Sequence, residues 1–518
     1  MTQQDNSDSS DTSEASEASE ASEQVSLTKL QLASYSAPAT PLALVGLPLV
    51  AYVPAIYADP DGFGLSLGLV GLMITLSRFT DVITDPIIGF LSDRWRSKWG
   101  RRKPFMVAGM PIFGAGVWLL FVPPVTFHEI TVLGYPFNYG YLYLFTMIGL
   151  VYLGSTIKDL PYMAWGAELS RNFHERTRIT SWREGFSVAG ALIAAFTPAI
   201  ILFFGYTKPV DAVWFLSIAM LVIMPVVVLN AVAVVPEYPV AETADKLPLK
   251  ESLRIVAQNK PFVQLIIIFS LASLGSAMTA SLAFFFVKHL LLAGDLFGLY
   301  VAPYYLSTVI AIPIWFKLSK RIGKHKTVLA AIFWFCFWAA FIPVIAITPY
   351  SWYEPFEVPK LLAFLPSDMH AAVAARFDDT PTGKFLFFVI LMCFKGASIG
   401  AFSAIPASMA ADVVDLDTKN TGQQRAGAYF SIWSMIRKIS YALGITVATT
   451  IVVWAGFDSL ADPITNPNSA FALLVLTCMY SIVPALIKLT TVPVLWNYDL
   501  TEQKVANLQD ELRDQRAA

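Results

Sequence analysis

Apolar runs of about 20 residues recur along nearly the whole chain, each long enough to cross roughly 30 Å of hydrocarbon. A soluble core has no room for so many. Only 14% of the 518 residues are charged, against about 25% in ordinary soluble domains. Inside a bilayer no water satisfies the backbone, so each run is expected to be a helix. Twelve are expected, near 37–57, 66–92, 104–123, 140–169, 181–205, 212–235, 261–290, 297–318, 326–348, 385–411, 426–455 and 468–494. The fold class is an all-α, multi-pass membrane protein.

Lysine and arginine concentrate in alternate connections. "SDRWRSKWGRRKPF" after the second span, "RNFHERTRITSWR" after the fourth and "KLSKRIGKHK" after the eighth are basic, and so is the central connection with Lys246, Lys250, Arg254 and Lys260. Positive charge stays on the cytoplasmic side, so both termini are expected there, in a cell (inner) membrane. Residues 1–34 begin with an acidic, Ser-rich repeat that cannot build a core, and are expected to form a disordered cytoplasmic tail. That tail lacks the apolar centre of a signal peptide, leaving the first span as the insertion signal.

The net charge of −2 gives no reason to expect a nucleic-acid partner. The three cysteines (Cys336, Cys393, Cys478) and five scattered histidines have neither disulfide nor metal-ligand spacing. No resident cofactor or metal is expected.

The chain echoes itself. "FLSDRWRSKWGRRK" after the second span resembles "FKLSKRIGKHK" six spans later, and "AELSRNFHERTR" has a weaker counterpart in "ADVVDLDTKNTGQQR". Two six-helix bundles, 35–236 and 261–496, would then be joined by a polar connection at 237–260 and followed by a cytoplasmic tail at 497–518. Such parallel repeats are the plan of major facilitator transporters, with the substrate site between the halves at mid-membrane. One chain holds both halves, so a monomer suffices.

Charges inside these spans demand a reason, because each costs about 2.5–3.5 kcal/mol at a helix centre. Arg78, Asp81 and Asp85 in "RFTDVITDP" share one helix face. Lys158 and Asp159 in "GSTIKDLPYMAW" lie at comparable depth. Lys395, Arg437 and Lys438 are the counterparts in the second half. One reading is structural: the charges pair and lock the bundle. The other is a site at which Asp81, Asp85 and Asp159 converge on a hard cation, or share a proton whose binding desolvation and mutual repulsion favour. The C-terminal cations have no acid of their own half nearby. They fit an anionic substrate, or else snorkel or pair with the N-terminal aspartates as a gate.

Three stretches carry a family resemblance: "SRFTDVITDPIIGFLSDRWRSKWGRRKPF", "KDLPYMAWGAELSRNFHERTRITSWREG" and "PASMAADVVDLDTKNTGQQRAGAYFSIWSMIRK". They resemble the glycoside–pentoside–hexuronide:cation symporter family. The resemblance covers most of the membrane domain and recurs in both halves. It implies that Asp81, Asp85 and Asp159 are cation-binding carboxylates, with Thr84 at a position where melibiose-transporting members have a cation-site asparagine. It likewise places Arg183 and Lys438 at positive positions near the sugar and coupling sites. Those members also carry a carboxylate on the first helix that holds sugar hydroxyls. Here the helix "YSAPATPLALVGLPLVAYVPAIYA" has no charge.

Asp93, Arg101 and Arg102 at the end of the second span, and Asp412, Asp415 and Arg425 in the other half, are expected to form cytoplasmic gate networks. "GASIG" (Gly396–Gly400) matches a hydrolase pattern only formally. It lies inside a span, where small residues at this spacing allow close helix contact. With no nucleophile–base or metal constellation, the chain is not expected to be an enzyme. The tail after 497 places Val505, Leu508 and Leu512 on one stripe, an expected amphipathic helix. In the long outer connection (349–384), "DMHAAVAARF" reads as either a surface helix or disorder. The function expected is proton- or sodium-coupled symport of a sugar or glycoside, neutral or a uronide. The alternatives are a proton-coupled carrier of a non-sugar organic anion or amphipathic molecule, and a transporter-like sensor or scaffold.

Overall fold

A computed structural model of the chain describes residues 27–59, 63–95, 97–124, 129–132, 135–169, 173–202, 204–206, 208–237, 258–361, 381–421, 426–500 and 504. Among these residues twelve helical segments are long and apolar enough to cross a membrane. They are Lys29–Ala58, Leu67–Gly89, Lys103–Phe121, Gly140–Gly166, Arg178–Ile201, Pro209–Val234, Lys260–Leu290, Gly294–Ile322, Lys324–Ile347, Thr382–Asp417, Ile432–Trp454 and Ala470–Trp496. Each of the twelve expected runs has its helix.

Two features depart from the sequence reading. The first span is longer at its start. Residues 29–34, assigned above to the disordered tail, are helical in Lys29–Ser36, followed after a short turn by Ala39–Ala58. The reason is local: the Thr28 hydroxyl accepts from the Gln31 amide while the Gln31 side chain accepts from the Thr28 amide, a reciprocal cap. The second departure is a two-stranded antiparallel hairpin, β1 (Glu129–Val132) with β2 (Tyr135–Asn138), between the third and fourth spans. The stripe at Val505, Leu508 and Leu512, the "DMHAAVAARF" segment, most of the central connection and Arg425 lie outside the described residues.

Small residues set how closely the helices cross. Where the third and fourth spans meet, a side chain on Gly154 would collide with the backbone of Phe113, and one on Gly116 would come within 2.9 Å of the Val151 amide. Helices in lipid gain by packing atoms, so removing side chains lets backbones approach and increases dispersion contact. The first and fifth spans, and the seventh and eleventh, pack extensively within their respective halves.

The halves meet along three seams: second span on eleventh, fifth on eighth, and first on seventh. Gly71 of the second span faces Thr449, while Thr75 donates to the Ala442 carbonyl at 2.7 Å and lies 2.5 Å from the Thr446 hydroxyl. Thr446 in turn donates to the Gly71 carbonyl at 2.8 Å. Bonds between the halves run from the charged midpoint, at Lys438, toward the end where the first span finishes at Ala58. That end is sealed.

Filling the third–fourth crossing should be costly. Gly154→Val is expected to destabilise the protein by about 1–3 kcal/mol through overpacking, read as a lower thermal midpoint in detergent. Gly149→Val, at a position with open space in the same helix, should leave the midpoint nearly unchanged.

Candidate functional site

The charged face of the second span turns toward both the fourth and the eleventh. Arg78 Nη1 bonds Asp81 Oδ2 at 3.2 Å, and its guanidinium lies 3.7 Å from the centre of the Tyr152 ring on the fourth span. Asp85 Oδ1 accepts from Thr156 Oγ1 at 2.8 Å. Across the seam comes Lys438: its Nζ is 3.0 Å from Asp85 Oδ2 and 3.4 Å from Asp81 Oδ2. One ammonium from the C-terminal half therefore sits between two carboxylates of the N-terminal half.

Asp159 does not join them. Its Oδ1 takes Lys158 Nζ at 2.6 Å and its Oδ2 takes the Ser155 hydroxyl at 2.5 Å. No three His, Cys, Asp or Glu side chains among the described residues come together as a metal-holding group. In this structure Asp81 and Asp85 share Lys438, while Asp159 is bonded by its own neighbour, the buried Lys158, whose ammonium also lies 4.6 Å from the Phe113 ring centre.

Two oxygens of the pair's neighbourhood are left over. Asp81 Oδ1 and Thr84 Oγ1 are buried with no hydrogen-bond partner. They sit on one helix face, three residues apart. Unused buried oxygens beside a carboxylate pair are the donor set a hard cation takes. Asp81 Oδ1, Thr84 Oγ1, Asp85 and the Thr156 hydroxyl could hold a sodium ion, and either carboxylate could take a proton.

The remaining cations separate. Lys395, expected beside Lys438, is fully buried inside the C-terminal bundle, 4.9 Å and 5.1 Å from the Phe335 and Tyr480 ring centres. It shares Phe335 with Lys488, an equally buried lysine of the twelfth span that bonds Ser276 at 3.3 Å. Lys395 therefore does not face the space between the halves, and Lys438 is not a free cation there. Arg437 is exposed, with Glu184 of the fifth span close enough to act on it electrostatically. Arg183 is tied to Glu184 at 2.7 Å.

The basic connection after the second span is held within its own half. Arg101 and Arg102 both reach Glu168 at the end of the fourth span, at 2.7 and 2.8 Å, and Arg102 Nη1 bonds Ser92 at 2.9 Å. Glu237, at the end of the sixth span, accepts the Arg101 and Arg102 amides at 2.6 and 2.8 Å and caps the start of the third. Side-chain contacts of Asp93 lie outside what is described. In the other half Asp412 takes Lys324 at 2.6 Å, while Asp415 lies one turn further along the same helix.

Sequence reasoning missed Ser155, Thr156, Glu168, Glu237 and Lys488. Lys488 was visible as a charge inside an apolar run. The hydroxyls carried no such signal, being common in spans that bond their own backbone.

A twelve-span bundle with an intramembrane carboxylate pair closed by a lysine from the opposite half defines a transporter of the major facilitator fold. The chain matches the family described as MFS/sugar transport protein over residues 34–502, and it belongs to that family. It is 25% identical to an uncharacterized symporter of Synechocystis over 79% of this chain and 84% of the relative. It is 24% identical to the inner membrane symporter YicJ of Escherichia coli over 87% and 88%, and 22% identical to that organism's glucuronide carrier protein homolog over 89% and 90%. Among solved structures it resembles the nucleoside transporter NupG, with a TM-score of 0.57 at 14% identity, covering 89% of this chain and all of that one. The protein is a multi-pass membrane transporter and not an enzyme.

Losing the Glu237 cap strands two amides at a helix start. Glu237→Ala is expected to cost about 1–2 kcal/mol, seen as a lower thermal midpoint in detergent, with a smaller loss for Glu237→Gln.

Proposed function

We propose that the protein is a proton- or sodium-coupled symporter of a sugar or glycoside, working by alternating access in a cell inner membrane with both termini cytoplasmic. The observation that carries this reading is Lys438 between Asp81 and Asp85. Relatives named as a lactose permease, an isoprimeverose transporter and a putative glycoside/cation symporter support the substrate class.

The physics of the pair gives the coupling. With no cation bound, two carboxylates in a partly buried seam need two counter-charges: Arg78 supplies one from the same helix, and Lys438 supplies the other from the opposite half. That ion pair ties the halves together in the state seen here, closed where the first and seventh spans meet. A proton or sodium ion at Asp81 and Asp85, assisted by Thr84 and Thr156, makes the lysine redundant and lets the seam part. Asp159, held by Lys158, is the adjacent carboxylate a cation recruits. A proton entering down 100 mV supplies about 2.3 kcal/mol, enough for roughly fiftyfold accumulation of a neutral solute.

For the substrate, the side chains at hand are Arg437, Arg183 and Glu184. With Lys395 buried and Lys438 paired, Arg437 is, among the described residues named above, the cation left for an anionic group. This fits a neutral glycoside or a singly charged uronide. The arginine–glutamate network of Arg101, Arg102 and Glu168 and the Lys324–Asp412 pair hold the cytoplasmic helix ends in register as the halves rock.

Uptake into proteoliposomes tests the reading, with labelled neutral glycosides, uronides and other organic anions under an imposed proton or sodium gradient. Accumulation of a glycoside is expected, collapsing with the gradient and lost in Asp81→Asn. Accumulation of a non-sugar anion alone would overturn the substrate class. Full accumulation by Asp81→Asn would overturn the coupling role. Lys438→Gln should abolish accumulation yet raise cation affinity about tenfold or more, because it removes a tethered competitor.

A further inference from the structure

A further ionic contact crosses between the halves, at the end where the first span finishes. Asp59, which ends the first span, takes Lys288 of the seventh span at 2.5 Å. The carboxylate is nearly buried, with 8% of its side chain exposed, and the lysine side chain is 18% exposed. A buried pair joined by a short bond resists separation far better than one in water, and breaking it strands a charge.

The pair sits where the three seams converge. Beside it, the Tyr52 ring of the first span meets the Phe297 ring of the eighth edge to face, with centroids 5.5 Å apart. Gly298 lies against Pro198 of the fifth span with no room for a side chain. Gly68 of the second span rests on Val453 of the eleventh. Just outside lies a cavity of about 220 Å³ lined by Asp59, Lys288, Lys208, Asp295 and Asp462 among others. Its charges come from both halves. Asp462 stays ionised readily, since the Ile464 and Thr465 amides bond its carboxylate and hold it below the usual range.

We propose that Asp59 and Lys288 are positioning residues of the transport cycle: they latch the extracytoplasmic gate and must part each time the carrier opens outward. The cavity around them is the charged mouth of that gate. The inference rests on the proposed orientation and on alternating access, but not on the identity of substrate or cation. The two lysines described in ion pairs between the halves then divide the work. Lys438 responds to the coupling cation at mid-membrane. Lys288 holds the outer rim and sets how much of the population faces each way.

A labelling assay tests the latch without any substrate. Ala55, fully buried on the first span and bordering the cavity, is replaced by cysteine (Ala55→Cys) in a background in which Cys336, Cys393 and Cys478 are alanine. The full-length carrier is then exposed, in right-side-out membrane vesicles, to a membrane-impermeant maleimide. Slow labelling is expected with the pair intact. Asp59→Asn and Lys288→Gln should each raise the rate on the order of tenfold or more. The exchanged pair, Asp59→Lys with Lys288→Asp, should return it to the slow value.

Unchanged labelling in both single variants would overturn the latch. So would an exchanged pair that labels as fast as the single variants. Monodispersity on size-exclusion chromatography excludes misfolding as the cause of faster labelling, and Asp59→Glu, which keeps the charge, should stay slow. If the latch fails while gradient-driven uptake holds, the symporter reading stands. If uptake fails while the latch holds, the gate stands without its assigned cargo.

Discussion

The whole structure turns on how two carboxylates are kept inside a seam of apolar helices. Asp81 and Asp85 lie on the second span; Arg78 of the same helix pairs with Asp81, and the second counter-charge, Lys438, arrives from the eleventh and touches both carboxylates. A second ion pair drawn from the same bundle would have balanced the charge and produced a rigid protein. Drawing the counter-charge from the other half makes charge balance depend on the halves being together. Under the proposed mechanism, a cation able to take the lysine's place then changes the mechanical state of the molecule, and coupling and conformation become one equilibrium.

The surrounding structure supports that arrangement. Gly71 brings the second and eleventh helices close, and the Thr75–Thr446 contact fixes their register so that Lys438 meets the aspartates. Arg78, stacked on Tyr152, keeps Asp81 turned inward. Thr156 does the same for Asp85 from the fourth span. Outside this centre each bundle is stitched internally, by Glu168 and Glu237 in one half and by Asp412 in the other. Each half can therefore move as a body while the seams change.

Much of this was legible in the sequence. Apolar run length located all twelve spans, because the bilayer fixes helix length from outside the protein. The helix period put Arg78, Asp81 and Asp85 on one face, and insertion cost marked Lys158, Asp159, Lys395 and Lys438 as needing partners. Partner choice was not legible, since it depends on how helices distant in sequence cross. Asp159 went to Lys158 and not to the aspartate pair, and Lys395 turned into its own bundle beside Lys488. The cap at Thr28 and the hairpin after the third span rest on local hydrogen bonds that no hydropathy pattern reveals. Asp59 and Lys288 stood at span ends, where a charge is unremarkable until the ends are seen to meet.

The most direct measurement of the central claim is the energetic coupling between Asp85 and Lys438. Thermal midpoints of the purified protein, without added sodium and at fixed pH, would be compared for Asp85→Asn, Lys438→Gln and the double replacement. Each single change should leave the site's charges out of balance and be destabilising, while the double should be no worse than either single, a coupling of about 1–3 kcal/mol. Losses that simply add would mean that the lysine does not balance the carboxylates. The tie between cation binding and the seam would then be gone.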